Sequence, residues 1–355
     1  MLYTKHINSV NRSLCSTFFF LLLFILLCGT ATGSQVLEDI QITRGVNEDS
    51  PAWSSDGKKL VYASDQDIWI ANVDGSSSRK VYGSMSWDAE PVFFDSQSII
   101  FASEQVDAFS SRFISIHRIG IDGTGRRQLT TNAHSREPSL SPDGSHIAYI
   151  SRIGNDYDIW LMEADGTSKI RLTDGKGNER DPSWSPDGKY IVYSFQGNIF
   201  KIDVLTGSTL ELTNDTFQNT DPEVSPDGSW ITFVSNRSGN QDIWLMDAQG
   251  KGTLQLTSDK GIQKDPSWNP KGNQIAYVSD ASGEFNIWLM TLEDELYLSE
   301  HIEQEETAVE DEKELFLIDQ VLTKGPLVII GAATMVLLAF VIFMIRSFLK
   351  NVGFL

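Results

Sequence analysis

Six times between Ser50 and Gly272 the chain returns to one short pattern. It reads "SPAWSSDGK" from Ser50, "EPSLSPDGS" from Glu137, "DPSWSPDGK" from Asp181, "DPEVSPDGS" from Asp221 and "DPSWNPKGN" from Asp265, with a degenerate copy at Glu90-Pro91. The prolines Pro51, Pro91, Pro138, Pro182, Pro222 and Pro266 are separated by 40, 47, 44, 40 and 44 residues. A period near 40 to 50 residues marks an array of supersecondary units, and with strand-like content it marks propeller blades.

Each unit reads as four strands. In the fourth, Pro182 opens a short strand and Ser185-Pro186-Asp187-Gly188 makes a turn. There proline presets φ and glycine accepts a positive φ. Tyr190-Ile191-Val192-Tyr193 is apolar on both faces, Asn198 to Ile202 forms a third strand, and Leu210-Glu211-Leu212-Thr213 alternates as the fourth. The third strand recurs as Asp67-Ile68-Trp69, Asp158-Ile159-Trp160, Asp242-Ile243-Trp244 and Asn286-Ile287-Trp288. A lone four-stranded sheet cannot bury two apolar faces, whereas neighbours stacked in a ring bury both, with Trp184 wedged between blades. The sixth unit ends near Met290 without a Leu-Thr strand, and Ile40-Gln41-Ile42-Thr43 stands alone ahead of the first. The first strand is expected to complete the last blade. The fold class is therefore all-β, a six-bladed β-propeller over 34–292 closed by an N-terminal strand.

The units "DPSWSPDGKYIVYS" and "DPEVSPDGSWITFVSNRSGNQDIWLMDAQGKGTLQLT" resemble the WD40-like (PD40) propeller repeats of the TolB family. The resemblance covers about 40 to 292 and implies the propeller fold. Members of that family carry an α/β domain ahead of the propeller. Here few residues precede the first strand, so that domain is expected to be missing. The second blade departs from the pattern: Val92 to Ser96 has no Pro-Asp-Gly turn, and Glu104 to Arg112 is lengthened.

Both ends of the chain suggest a membrane. Lys5 and Arg12, an apolar run from Phe18 to Leu27 and the small residues Ala31-Thr32-Gly33 form a signal-peptide pattern over 1–33. Cys28-Gly29 leaves lipoprotein processing open, and an uncleaved anchor is a third reading. Leu327 to Ile345 is uncharged and apolar, and at ~1.5 Å per residue it spans ~28 Å, a bilayer core. A C-terminal transmembrane helix is expected over 326–346. Arg346 and Lys350 mark its cytoplasmic side, so the tail 347–355 lies inside and the propeller on the periplasmic or extracellular side. Between them, 293–325 is an acidic stalk: residues 293 to 319 hold 12 acids and one lysine. With a net charge of −20 and no basic run, nucleic acid is excluded as a natural partner.

Chemistry is sparse. The cysteines, Cys15 and Cys28, both precede the propeller. Similar repeats accompany the hydrolase domains of prolyl oligopeptidase and tricorn-like peptidases, which need a Gly-x-Ser-x-Gly elbow; no such pentapeptide occurs. His117, His134 and His146 are scattered, with no zinc spacing, so no catalytic residue, metal or cofactor is assigned. The repeat does place acids systematically. Glu90, Glu137, Asp181, Asp221 and Asp265 precede the repeat proline, with Ser50 in the first unit, and Arg136, Arg180 and Lys264 stand beside three of them. Rotation should gather them at one mouth of the channel, rimmed by Glu104–Arg112 and Asn236–Gln241. Two readings stay open: a funnel that binds a protein or envelope component, and carboxylates that serve the blade itself. The expected function is a non-catalytic, membrane-anchored binding scaffold. The alternative is a hydrolase or lyase working in the funnel, the latter on a resemblance to oligogalacturonate lyases, which use a metal and histidines.

Overall fold

The computed structural model describes residues 36–107, 109–131 and 134–292. The expected signal segment, stalk, transmembrane helix and tail lie outside the described residues. Among the described residues no helix is long and apolar enough to cross a membrane.

Six antiparallel four-stranded sheets form the blades, each a meander of strands A to D. Strands A are Glu48–Trp53, Asp88–Asp95, His134–Leu140, Glu179–Trp184, Asn219–Val224 and Gln263–Trp268. Each packs on the strand A of the next blade, and the sixth packs on the first, which closes the ring. The expected closure is present. Val36–Gln41 is strand D of blade 6 and pairs with strand C, Asn286–Leu292, with Ile40 opposite Leu289 and Val36 opposite Leu292.

A threonine repeated in five blades fixes strand D to strand C. Thr130, Thr173, Thr213 and Thr257 accept, through Oγ1, the amide of a strand C isoleucine, Ile116, Ile159, Ile199 and Ile243, at 2.8 to 2.9 Å. Thr43 does the same for Ile287 across the closure (2.9 Å) and also bonds the buried Glu48. Blade 1 carries Tyr82-Gly83 at this place.

The core is six inter-blade clusters. One joins Ala148, Ile150, Ile159 and Leu161 of blade 3 to Ile191, Tyr193 and Ile202 of blade 4. Trp184 packs there and donates its indole N–H to Ser139 O (3.2 Å); Trp53 and Trp268 make the corresponding links to Ser267 O and Thr232 Oγ1. The tryptophan of the repeat is thus an inter-blade wedge, as expected.

At one end of every seam the polar residue just before the strand C isoleucine corresponds to the residue two places before the repeat acid in the next strand A. Seam 2/3 holds Ser115 and Ser135, and seam 4/5 holds Asn198 and Asn219. Seam 5/6 joins Asp242 to Gln263, whose side-chain amide donates to Oδ1 (2.8 Å) in the orientation that turns its NH2 toward the surrounding acceptors, and seam 6/1 joins Asn286 to Glu48 (3.2 Å). Seams 1/2 and 3/4 hold two acids each, Asp67 with Asp88 and Asp158 with Glu179. In these two, strand D supplies a cation: Lys80 to Asp67, and Arg171 to Asp158 (2.7 Å).

Candidate functional site

The repeat acids do not sit at the strand starts. Strand A begins two or three residues earlier, and at the acid its ladder shifts register in every blade, as between Arg180 and Ser183. The residue before each proline is forced into the left-handed region: φ is 50° at Ser50, 55° at Glu90, 53° at Glu137, 55° at Asp181, 49° at Asp221 and 51° at Asp265. For a non-glycine residue this costs on the order of 1 kcal/mol, so each bulge needs compensation.

The carboxylates provide it. The bulge frees the amide of the acidic residue from the ladder, and the acid of the preceding blade accepts it. Glu90 Oε2 takes the Glu137 amide (2.7 Å), Glu137 Oε2 the Asp181 amide (2.8 Å), Asp181 Oδ2 the Asp221 amide (3.3 Å) and Asp265 Oδ2 the Ser50 amide (3.5 Å). The acids therefore stitch blade to blade. All six positions line one cavity of ≈ 210 Å³ at the ring centre. Rotation gathers the predicted residues as expected, and it gives the acids a structural duty as well.

The three bases are held in the same network. Arg136 Nε donates to Glu90 Oε1 (3.0 Å), Arg180 Nε reaches Glu137 Oε1 (3.1 Å), and Lys264 Nζ lies 3.0 Å from Asp49 and 3.3 Å from Asp265. Each cation also rests on an aromatic ring, Arg136 on Trp87, Arg180 on Tyr157 and Lys264 on Phe285. The arc from Asp181 to Asp221 carries Thr220 at the cation position.

Crowding keeps protons on this ring. Burial raises the Glu137 carboxyl well above the ordinary range, and the charges of Asp181 and Glu90 add to it. Burial, then Asp181 and Asp265, do the same to Asp221; burial, then Asp49, do so to Asp265. Burial opposes ionisation of Asp49 too, but hydrogen bonding to Asp265 and the Lys264 charge bring it below its usual value. Glu223, also on the cavity wall, is pushed up to about 8 by burial, against the Trp268 amide that its Oε2 accepts (3.0 Å).

Asp49 and Glu223 were not singled out in the sequence. Asp49 had a signal, since it inverts the charge of the position held by Arg136, Arg180 and Lys264. Glu223 had none: it stands where other repeats carry Ser, Ala or Val. The histidines do not converge. His117 is buried on strand C of blade 2, at the place of the third-strand tryptophan, with Nε2 against Ser115 Oγ (2.9 Å). His134 opens strand A of blade 3 and His146 follows the turn at its other end. Among the described residues no three His, Cys, Asp or Glu side chains are grouped to hold a metal.

Because each blade is a meander, the B–C loops and D–A connections share one face of the ring, and the A–B and C–D turns share the other. The acids lie in the half of strand A nearer the first face. That face carries Val46, Met85, Val106, Phe109, Phe217 and Ile262, all exposed, Met85 and Phe109 at 107% and 89%. The expected rim loops 104–112 and 236–241 belong to it. Of the exposed large hydrophobics, Leu205 lies in a turn of the opposite face.

The family described as PD40, TolB beta propeller domain, matches residues 30–201 and 182–320. No curated protein sequence matches the chain. Among solved structures, a putative TolB from Agrobacterium tumefaciens is similar with TM-score 0.55 and 21% identity, over 72% of this chain and 97% of that one. TolB from Acinetobacter baumannii is similar with TM-score 0.54 and 20% identity, over 70% of this chain and 64% of that one, so under two thirds of that protein is matched. An oligogalacturonate lyase from Vibrio parahaemolyticus is similar with TM-score 0.52 and 15% identity, over 72% and 80%. Likenesses this distant carry the fold alone. The six PD40 repeats, their bulged acidic strands and the match across most of the propeller give one conclusion: the chain belongs to the TolB beta propeller family.

Proposed function

We propose that this protein is a non-catalytic binding propeller, held to the membrane by its C-terminal segment, that captures a protein on its acid-lined face. The observation that carries the reading is an asymmetry. The mouth of the cavity and six exposed apolar side chains share one face, and such patches on loops around a rigid ring are where partners dock. The described chain enters at Val36 and leaves at Leu292, which are paired at the opposite face. An anchor following Leu292 would turn the acidic mouth away from the bilayer, toward the periplasm or the exterior. The arc at Asp181 and Asp221 lacks a cation of its own, which suits a partner that offers a Lys or Arg there.

The test is cross-linking in native membranes followed by recovery of the bound protein. Met85→Asp combined with Phe109→Asp should lose the partner at least tenfold, and Leu205→Asp should not. Equal recovery with both variants would refute docking on the acidic face. A turnover detected in the purified protein and lost on replacing His117 or His134 would favour the enzymatic reading instead.

A further inference from the structure

Seam 3/4 differs from its five counterparts in the balance of its buried charges. Asp158 and Glu179 are 0% and 4% exposed, and each has one carboxyl oxygen, Oδ2 and Oε2, buried without a hydrogen-bond partner. Arg171 bonds Asp158 Oδ1 and is the one cation of strand D here. Seam 1/2 also pairs two acids, and Asp88 Oδ1 is buried without a partner, but there Lys80 pairs with Asp67 and the Ser84 amide caps the other oxygen of Asp88 (2.9 Å), so one orphaned oxygen remains where seam 3/4 has two.

We infer that seam 3/4 is a proton-operated latch between blades 3 and 4. With a proton on Glu179, one carboxylate faces one guanidinium and the seam is closed. Without it, two carboxylates oppose Arg171, and the connection 173–178 and the start of strand A of blade 4 loosen. The groups around Glu179 come from every neighbouring element: Asp156 and Asp158 from strand C of blade 3, Arg171 from strand D, and Tyr193 from its own blade. Asp174 and the exposed Lys176 ride on the connection, and Asp174 acts on Arg171.

Burial moves the Glu179 carboxyl from 4.5 to about 7, Asp158 and Asp156 adding to the rise and Arg171 opposing it. The folded protein therefore holds a proton that the unfolded chain has lost. The resulting penalty is absent below 4.5, grows as pH rises and is complete above about 7. The latch lies two residues from Asp181 and beside Arg180, so its opening displaces one sector of the channel mouth. The inference stands whatever the mouth binds.

The test is hydrogen exchange of the full chain in detergent micelles at pH 6 and pH 8, corrected for intrinsic rates. Protection over 173–181 should fall about tenfold between the two in the wild type, while the equivalent connection 213–221 keeps its own. Glu179→Gln should hold 173–181 protected at both values. Asp158→Asn, which removes the opposing charge, should flatten the profile equally and decides the matter if Glu179→Gln does not fold. Unchanged wild-type protection, or a fall that persists in the folded variants, overturns the latch.

Discussion

Ring closure can be tested at one hydroxyl. Thr43 and Thr213 do the same job in blades 6 and 4, each accepting the buried amide of strand C, from Ile287 (2.9 Å) and Ile199 (2.8 Å). Both are 7% exposed. Replacing either by valine keeps the shape; it orphans the Ile199 amide, at about 1–3 kcal/mol, while the Ile287 amide keeps a weaker acceptor in Glu48 Oε2 (3.3 Å). Thr213 has a second, weaker link, to Asn198 Oδ1 (3.2 Å). Thr43 instead donates to Glu48, a buried carboxylate that also gathers the Gly45 amide (3.2 Å) and the Asn286 side chain (3.2 Å). A hydrogen bond to a charged group contributes about 1.5–3 kcal/mol. Thr43→Val should therefore cost about 2–4 kcal/mol, chiefly the lost Thr43–Glu48 bond, and Thr213→Val about 1–3 kcal/mol. Urea unfolding followed by tryptophan fluorescence measures both. If Thr43→Val costs less than about 1 kcal/mol, the Thr43–Glu48 bond adds nothing to closure and the reasoning fails.

Three further outcomes are expected. Gly250→Ala should cost more than Gly144→Ala: both have positive φ, 84° and 71°, but a Cβ at Gly250 would stand 2.4 Å from Leu212 O while the one at Gly144 meets nothing. We expect about 1 kcal/mol at Gly144 and at least twice that at Gly250, read from thermal unfolding. Burial, aided by Arg126, holds His117 neutral by lowering it from 6.5 to about 4. The stability this position contributes is complete above 6.5 and is lost as pH falls toward 4; His117→Phe should flatten that limb of the urea midpoint against pH. For Glu223, raised from 4.5 to about 8, the sign is opposite: stability falls as pH rises through that window, and Glu223→Gln should abolish the fall. A midpoint that keeps its wild-type pH profile in either variant would refute the corresponding assignment.

The blades were legible because each one must bury two faces, and that demand writes a period into the chain. Closure was legible because a missing Leu-Thr strand at one end matched a spare Ile-Thr strand at the other. The bulge was hidden. Asp181-Pro182 reads as a strand start, and only the placement of Glu179 opposite Phe195 reveals that pairing begins earlier. The cross-blade role of the acids was equally hidden, since the acceptor and its amide lie 40 to 47 residues apart in the clearest cases. Seam 3/4 depends on a count of charges across strands that neither Asp158 nor Glu179 shows alone. His117 was visible as a histidine, but its meaning came from the tryptophans that occupy its position in other blades.

The pairing of Val36 with Leu292 has a mechanical consequence. A partner held at the mouth and an anchor beyond Leu292 would place the ring under tension between its two faces. That tension runs along strand C of blade 6, which is laddered to strand B through six residue pairs and to the closing strand through five. The load is parallel to the strand, so the flanking hydrogen bonds share it in shear instead of opening one at a time. A tether built this way resists pulling best along the axis on which the proposed partner would pull.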